Sequence, residues 1–150
     1  MTRLHIIPVL LCVGLLSCAA QAKQLAIVVD KDNATNSVKA ADLANILNGK
    51  TRTWADGKAI KIILRDPSSP DMELVFRRVL NMTPDQVHAF LQAHPGQIVI
   101  ADSDDAVLRF VSATRGAVGI VDLYSLTKDV TVVKIDGKLP FDAGYLLKGN

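Results

Sequence analysis

Apolar positions along the chain fall into two rhythms: short unbroken or alternating runs, and stripes spaced by three and four. Leu25-Ala26-Ile27-Val28-Val29 is a continuous apolar run closed by Asp30, the pattern of a strand covered on both faces. After the polar stretch Lys31–Asn36, Ser37 is placed to cap a helix from about Val38 to Asn48. Ala40, Leu43, Ala44 and Leu47 would share its dry face, with Lys39, Asp42, Asn45 and Asn48 on the wet one and Gly49 just past its end. Asp56-Gly57 signals a turn inside a loop spanning 50–58. Ala59–Arg65 then reads as a strand, with Ile60, Ile62 and Leu64 on one side and Lys61, Ile63 and Arg65 on the other.

The second half continues the alternation. Ser69 is a natural N-cap and Pro70 a natural first helical residue, followed by the face Met72, Val75, Phe76 and Val79. Asn81-Met82 interrupts, and Thr83-Pro84-Asp85-Gln86 is a capping box for a short helix burying Val87, Phe90 and Leu91, ended by His94-Pro95-Gly96. Gln97–Ala101 is a short extended segment. Asp102 or Ser103 caps a helix whose face reads Ala106, Val107, Phe110 and Val111, closed by Arg115-Gly116. Ala117–Val121 and Val130–Ile135 are strands, and the tail Lys138–Asn150 is weakly patterned. The order β-α-β-α-α-β-α-β-β predicts an α/β fold: a single three-layer domain with a mostly parallel or mixed sheet of about five strands.

The first residues predict a segment outside that domain. Arg3 precedes an apolar run from Ile6 to Leu16, and small residues lead to Ala20-Gln21-Ala22, the layout of a cleaved secretory signal. Leu15-Leu16-Ser17-Cys18 also resembles a lipobox, so lipidation at Cys18 is the competing expectation. The expected division is thus 1–22 signal peptide and 23–150 domain, with a periplasmic address. Beyond the signal no run is long enough to cross a bilayer. Both cysteines, Cys12 and Cys18, fall inside it, so the expected mature chain has neither disulfide nor thiol chemistry. The formal net charge of +2 loses one positive with Arg3, a balance that argues against nucleic acid as a partner.

Catalytic constellations are scarce, and no enzyme, metal or cofactor is expected. His88 and His94 have no carboxylate partner identifiable in sequence, and the nucleophile-elbow, zincin, Walker and dinucleotide motifs are missing. Asp102, Asp104 and Asp105 cluster where helix capping and the helix dipole want them, without calcium-loop spacing. The lone Trp54 sits in a loop that it would pin to the core, or from which it would stack on a ligand. The turn after Arg65 has a functional shape. In open α/β sheets ligands sit beyond the carboxyl ends of the strands. There a guanidinium, hydroxyls and a helix N-terminus could together hold an oxyanion. The stretch 50–65 adds Lys50, Arg52, Lys58 and Lys61 against one acid, Asp56.

From Val28 to Leu64 the extended run, the helix, "ILNGK" and "TWADGKAIKIIL", then Arg65, "ELVFRRVLNMTPDQV" and "SDDAVLRFVSATRGAVGIVD", follow one another in a family's order. In this the chain resembles the phosphate ABC transporter substrate-binding proteins, of the periplasmic binding protein type II class, over roughly Leu25 to Ile135. The resemblance implies a fold like one lobe of such a protein and a ligand-binding role for Arg65, Ser68 and Ser69 toward phosphate or another small oxyanion. It also implies an ABC transporter or envelope sensor as partner. Two departures bear on that role. Where the family has glycine and threonine, this chain has Pro70, which lacks an N–H, and Asp71, which with Asp66 and Glu73 sets negative charge at the helix start. A nearby carboxylate costs an incoming anion about 1–4 kcal/mol. The length beyond the signal also suits one lobe, an open shelf rather than a closed cleft. Two readings follow: a solute-binding-like protein with weak oxyanion binding, and a ligand-free envelope module that docks to a transporter or sensor.

Overall fold

The long apolar runs become the middle of a six-stranded sheet, ordered β2-β6-β1-β5-β3-β4, in a computed structural model that describes residues 23–149. The expected signal, with the alternative at Cys18, lies outside the described residues. The strands are β1 (Leu25–Asp30), β2 (Ser37–Val38), β3 (Lys61–Leu64), β4 (Ile98–Ile100), β5 (Ala117–Asp122) and β6 (Val130–Ile135). The helices are α1 (Ala40–Leu47), α2 (Pro70–Leu80), α3 (Pro84–Ala93) and α4 (Asp104–Ala113), with a short 3-10 turn at Leu123–Ser125.

The sheet is mixed because β1 runs antiparallel to both its neighbours, β5 and β6, whereas β3 pairs in parallel with β4 and β5. Alternation within each strand feeds two cores. Ile27, Ile62, Leu64, Ile98, Val118 and Ile120 face α1, α2 and α3; Val28, Ile63 and Val121 face α4 through Val107, Leu108 and Val111. That is the expected three-layer α/β/α arrangement. The strand ends fix the geography: β3, β4, β5 and β6 all finish at the rim where β1 begins.

Most helix boundaries follow from local signals. Ser69 accepts from the Met72 amide, the Thr83–Gln86 capping box forms both of its bonds, and Ser103 rather than Asp102 caps α4. Two expectations are corrected. Ser37 does not cap α1. With Val38 it makes a two-residue parallel strand beside Lys134–Ile135, and the helix starts at Ala40. Its first amide, that of Ala40, donates to Asp136 Oδ1 at 3.0 Å, so the cap comes from ninety-six residues away, a partner local pattern does not reveal. On α4, Leu108 is buried while Phe110 is 37% exposed, because the helix is rolled toward β5 and β1. The tail is also more ordered than its pattern suggests. Leu147 and Tyr145 are buried, the Leu25 amide donates to Leu147 O, and the Tyr145 hydroxyl donates to Leu25 O at 2.7 Å.

Candidate functional site

Arg65 stands one residue past β3, at the rim predicted for ligands, and the turn after it is built by its own side chains. Asp66 Oδ1 accepts from the Ser68 amide at 2.9 Å and from the Ser68 hydroxyl at 2.7 Å. Ser69 Oγ donates to Asp66 O at 2.7 Å and accepts from the Met72 amide at 3.4 Å, which locks the entry to α2. Both serines expected to donate to an anion therefore spend their hydroxyl protons on Asp66. The Ser68 hydroxyl first, and its amide second, hold the Asp66 carboxyl below its ordinary 3.8. The contribution of a lowered carboxyl to stability is complete above the ordinary value and fades as pH falls through the depressed one. Ser68→Ala is expected to raise the Asp66 titration midpoint toward 3.8, read by carbon NMR of the side chain; an unmoved midpoint would place the cause elsewhere.

Arg65 is engaged through two of its three guanidinium nitrogens. Its Nη2 donates to Asp71 Oδ2 in a short ion pair, and its Nε lies 2.9 Å from Asp104 Oδ1. The second contact is ionic rather than a well-aligned hydrogen bond, since neither of those two buried atoms has a hydrogen-bond partner. Asp71, only 7% exposed at its side chain, also accepts from Lys23 Nζ at 2.9 Å. Asp104 is held by the Asp122 amide at 3.0 Å and the Ser125 hydroxyl at 2.7 Å, and Asp122 Oδ2 lies 4.0 Å from Lys23 Nζ. Two cations thus face three carboxylates contributed by α2, α4 and β5, and the cluster is negative by one charge. An anion approaching this rim meets a cation pair already neutralised and a carboxylate, Asp71, at the helix start where the anion would sit.

The surroundings follow the same sign. A pocket of about 340 Å³ beside the turn is lined by Asp66, Ser68, Glu73 and His88, and its two charged acids outweigh a histidine. A larger pocket of about 610 Å³, lined by Ile46, Arg52, Ile60, His94 and Gln97, opens at the opposite end of β3. The aspartates expected at the start of α4 divide: Asp104 joins the Arg65 network, and among the described residues no group of His, Cys, Asp or Glu has a metal-binding arrangement. His88 is exposed, and His94 Nδ1 lies 2.9 Å from Phe90 O. Trp54 is buried and its indole N–H donates to Gly116 O at 2.9 Å, so it pins its loop to the core.

Sequence reasoning brought Arg65, Ser68 and Ser69 to one turn, and the structure places them there. It did not identify Lys23, Asp104 or Asp122 as partners, because they come from three other segments and no local spacing joins them. It also passed over Tyr124 and Phe141. These are 74% and 72% exposed and lie in segments leaving β5 and β6 at the same rim.

The family model for the PBP superfamily domain matches residues 17–147. The phosphate-binding protein PstS of Bacillus subtilis is 29% identical over 120 residues, which are 77% of this chain and 37% of that protein. Among solved structures, an ABC-type phosphate transport receptor from Vibrio cholerae superposes with a TM-score of 0.72 at 18% identity, covering 86% of this chain and 55% of that one. PstS from Borrelia burgdorferi gives 0.70 at 20% identity, with 87% and 56% covered. A putative phosphate ABC transporter substrate-binding protein with bound phosphate, from Clostridium perfringens, gives 0.67 at 17%, with 80% and 48% covered. The chain therefore spans about half the length of these solved structures and about a third of the curated relative.

Proposed function

The chain belongs to the PBP superfamily domain family, and from that premise we propose that it is an exported, non-enzymatic docking module of phosphate-uptake systems rather than a phosphate carrier. It uses the fold of one lobe with its anion donors committed internally. The observation that carries the reading is the double ion pairing of Arg65 to Asp71 and Asp104. Freeing the guanidinium for a solute would take a cationic partner from two largely buried carboxylates, and the solute would have to compete with Asp71 for Lys23 as well. Relatedness to proteins named as phosphate-binding supplies the context, an ABC transporter or its sensor in the envelope, reached through a signal over residues 1–22. The exposed rings of Tyr124 and Phe141 supply the docking chemistry, since aromatic side chains concentrate binding energy at protein interfaces.

The weak-oxyanion reading makes the opposite demand on the same residue, so calorimetry separates the two. Titration with inorganic phosphate up to millimolar concentration is expected to give no binding heat. A photo-crosslinking residue at position 124 or 141 is expected to capture an envelope partner in cells, whereas one at exposed Lys128 is not. Phosphate heat that disappears in Arg65→Ala would overturn the docking reading and restore Arg65, Ser68 and Ser69 as an anion site.

A further inference from the structure

β4 is the outermost strand on its side of the sheet, paired only with β3. The Ala101 amide donates to Leu64 O at 2.8 Å. Successive backbone groups of a strand point to opposite sides, so Val99 also faces β3, while the N–H and C=O of Ile98 and Ile100 face outward from the edge. Side chains alternate as well. Val99, in register with Ile63, lies on the α4 side and is 41% exposed; Ile100, in register with Leu64, lies on the other and is 48% exposed.

Natural edges are usually blunted by a lysine, a proline or a bulge. Gln97-Ile98-Val99-Ile100-Ala101 contains none of these and no charge. The opposite edge, β2, has two residues and runs into Lys39. Among the described strands, β4 is therefore the one whose edge is both apolar and uncharged.

We propose that β4 pairs antiparallel with β4 of a second copy of this chain, fusing the two sheets into one. The register is fixed by which groups face outward. Ile98 exchanges both backbone hydrogen bonds with Ile100 of the second copy, and Ile100 with its Ile98. Val99 then sits on the twofold axis opposite its twin, in the non-hydrogen-bonded position where side chains come closest. A second copy fits better than a foreign strand because this sequence satisfies itself: the outward groups bracket Val99 symmetrically, and the closed isologous contact leaves no new edge. Within residues 97–101 self-pairing brings no like charges together, and a net charge of +2 per chain opposes association only weakly. A three-residue edge is short, so the dimer is expected to be weak and to form with rising concentration.

Sedimentation equilibrium and backbone amide exchange test this together. The protein is expected to shift from monomer to dimer across roughly the micromolar-to-millimolar range, with slowed exchange at Ile98 and Ile100 as it does so. Val99→Lys, which places two lysines face to face on the axis, is expected to keep the chain monomeric with its circular dichroism unchanged. Ile100→Pro deletes one outward N–H without touching the ladder to β3, and is expected to weaken the dimer at least tenfold. A monomer throughout the range, a dimer that survives both substitutions, or a dimer without protection at Ile98 and Ile100 would each overturn the proposal.

Discussion

Asp71→Thr is expected to give phosphate binding in the millimolar range at a rim where the parent is expected to show none, while lowering stability. In the parent the Asp71 carboxylate is shared by Lys23 and Arg65 at the start of α2. It fills, from within the chain, the place where an oxyanion would meet a guanidinium and free helix amides. Threonine takes away that charge and supplies a hydroxyl, and the local balance moves from minus one to zero. Removing one member of a buried pair costs about 3–5 kcal/mol. Here the cost is smaller, about 1–3 kcal/mol, because Arg65 keeps Asp104 and Lys23 is more than half exposed. A chain of this size loses roughly 2–4 °C of melting temperature per kcal/mol. Phosphate should then restore part of the loss in Asp71→Thr and leave the parent melting curve unmoved, since a ligand stabilises only the state that binds it. Asp71→Asn separates the causes: it keeps shape and an acceptor, so a similar gain in phosphate sensitivity would assign the effect to charge. If neither variant responds to phosphate, the ion-pair network is not what closes the site, and Pro70, with no N–H to offer, becomes the stronger explanation.

What was legible in the sequence was whatever is encoded locally. The runs at Leu25–Val29 and Ala117–Val121 are buried on both faces, so their strands needed no partner to be recognised. Ser69-Pro70 and Thr83-Pro84 carry their caps within one turn of chain, and the helix starts lie where those residues put them. Where a boundary is set from a distance, local reading failed. Ser37 looked like a cap and became a strand because Lys134 and Ile135 lie alongside, while Asp136 capped α1 in its place. The candidate site divides the same way. The Arg65 turn was visible as a motif and the charge of Asp71 as a departure from it. That Asp71 accepts from Arg65, and that Asp104 arrives from α4 to share the guanidinium, are facts of packing. An ion pair joining residues 65 and 104 has no signature in spacing; it exists because β3 and β5 are neighbours and α4 lies against them both.

Gly116→Ala is expected to cost about 3–5 kcal/mol, a large share of a small domain's total stability. Two separate penalties meet at this residue. Its φ of +84° is strained for any residue with a Cβ, and a Cβ built there would lie 2.2 Å from Ala59 O, a backbone atom that cannot swing away. Relief would require moving the strand entry at Ala59, and that motion propagates. The Gly116 carbonyl accepts from the Trp54 indole at 2.9 Å and from the Lys61 amide at 3.2 Å, and its amide donates to buried Asp30 Oδ1 at 3.0 Å. Displacing this one residue would therefore loosen the Trp54 loop, the start of β3 and the end of β1 together. Gly57→Ala isolates the contributions: φ is +86° there, but nothing lies within 4 Å of the added carbon. It should cost only the backbone strain, about 1–2 kcal/mol. Because Trp54 is the only tryptophan, its fluorescence reports the junction directly. Gly116→Ala should shift its emission to longer wavelength before global unfolding, whereas Gly57→Ala should not. Equal losses in the two variants would mean that Ala59 yields without cost, and that the junction is softer than its three hydrogen bonds imply.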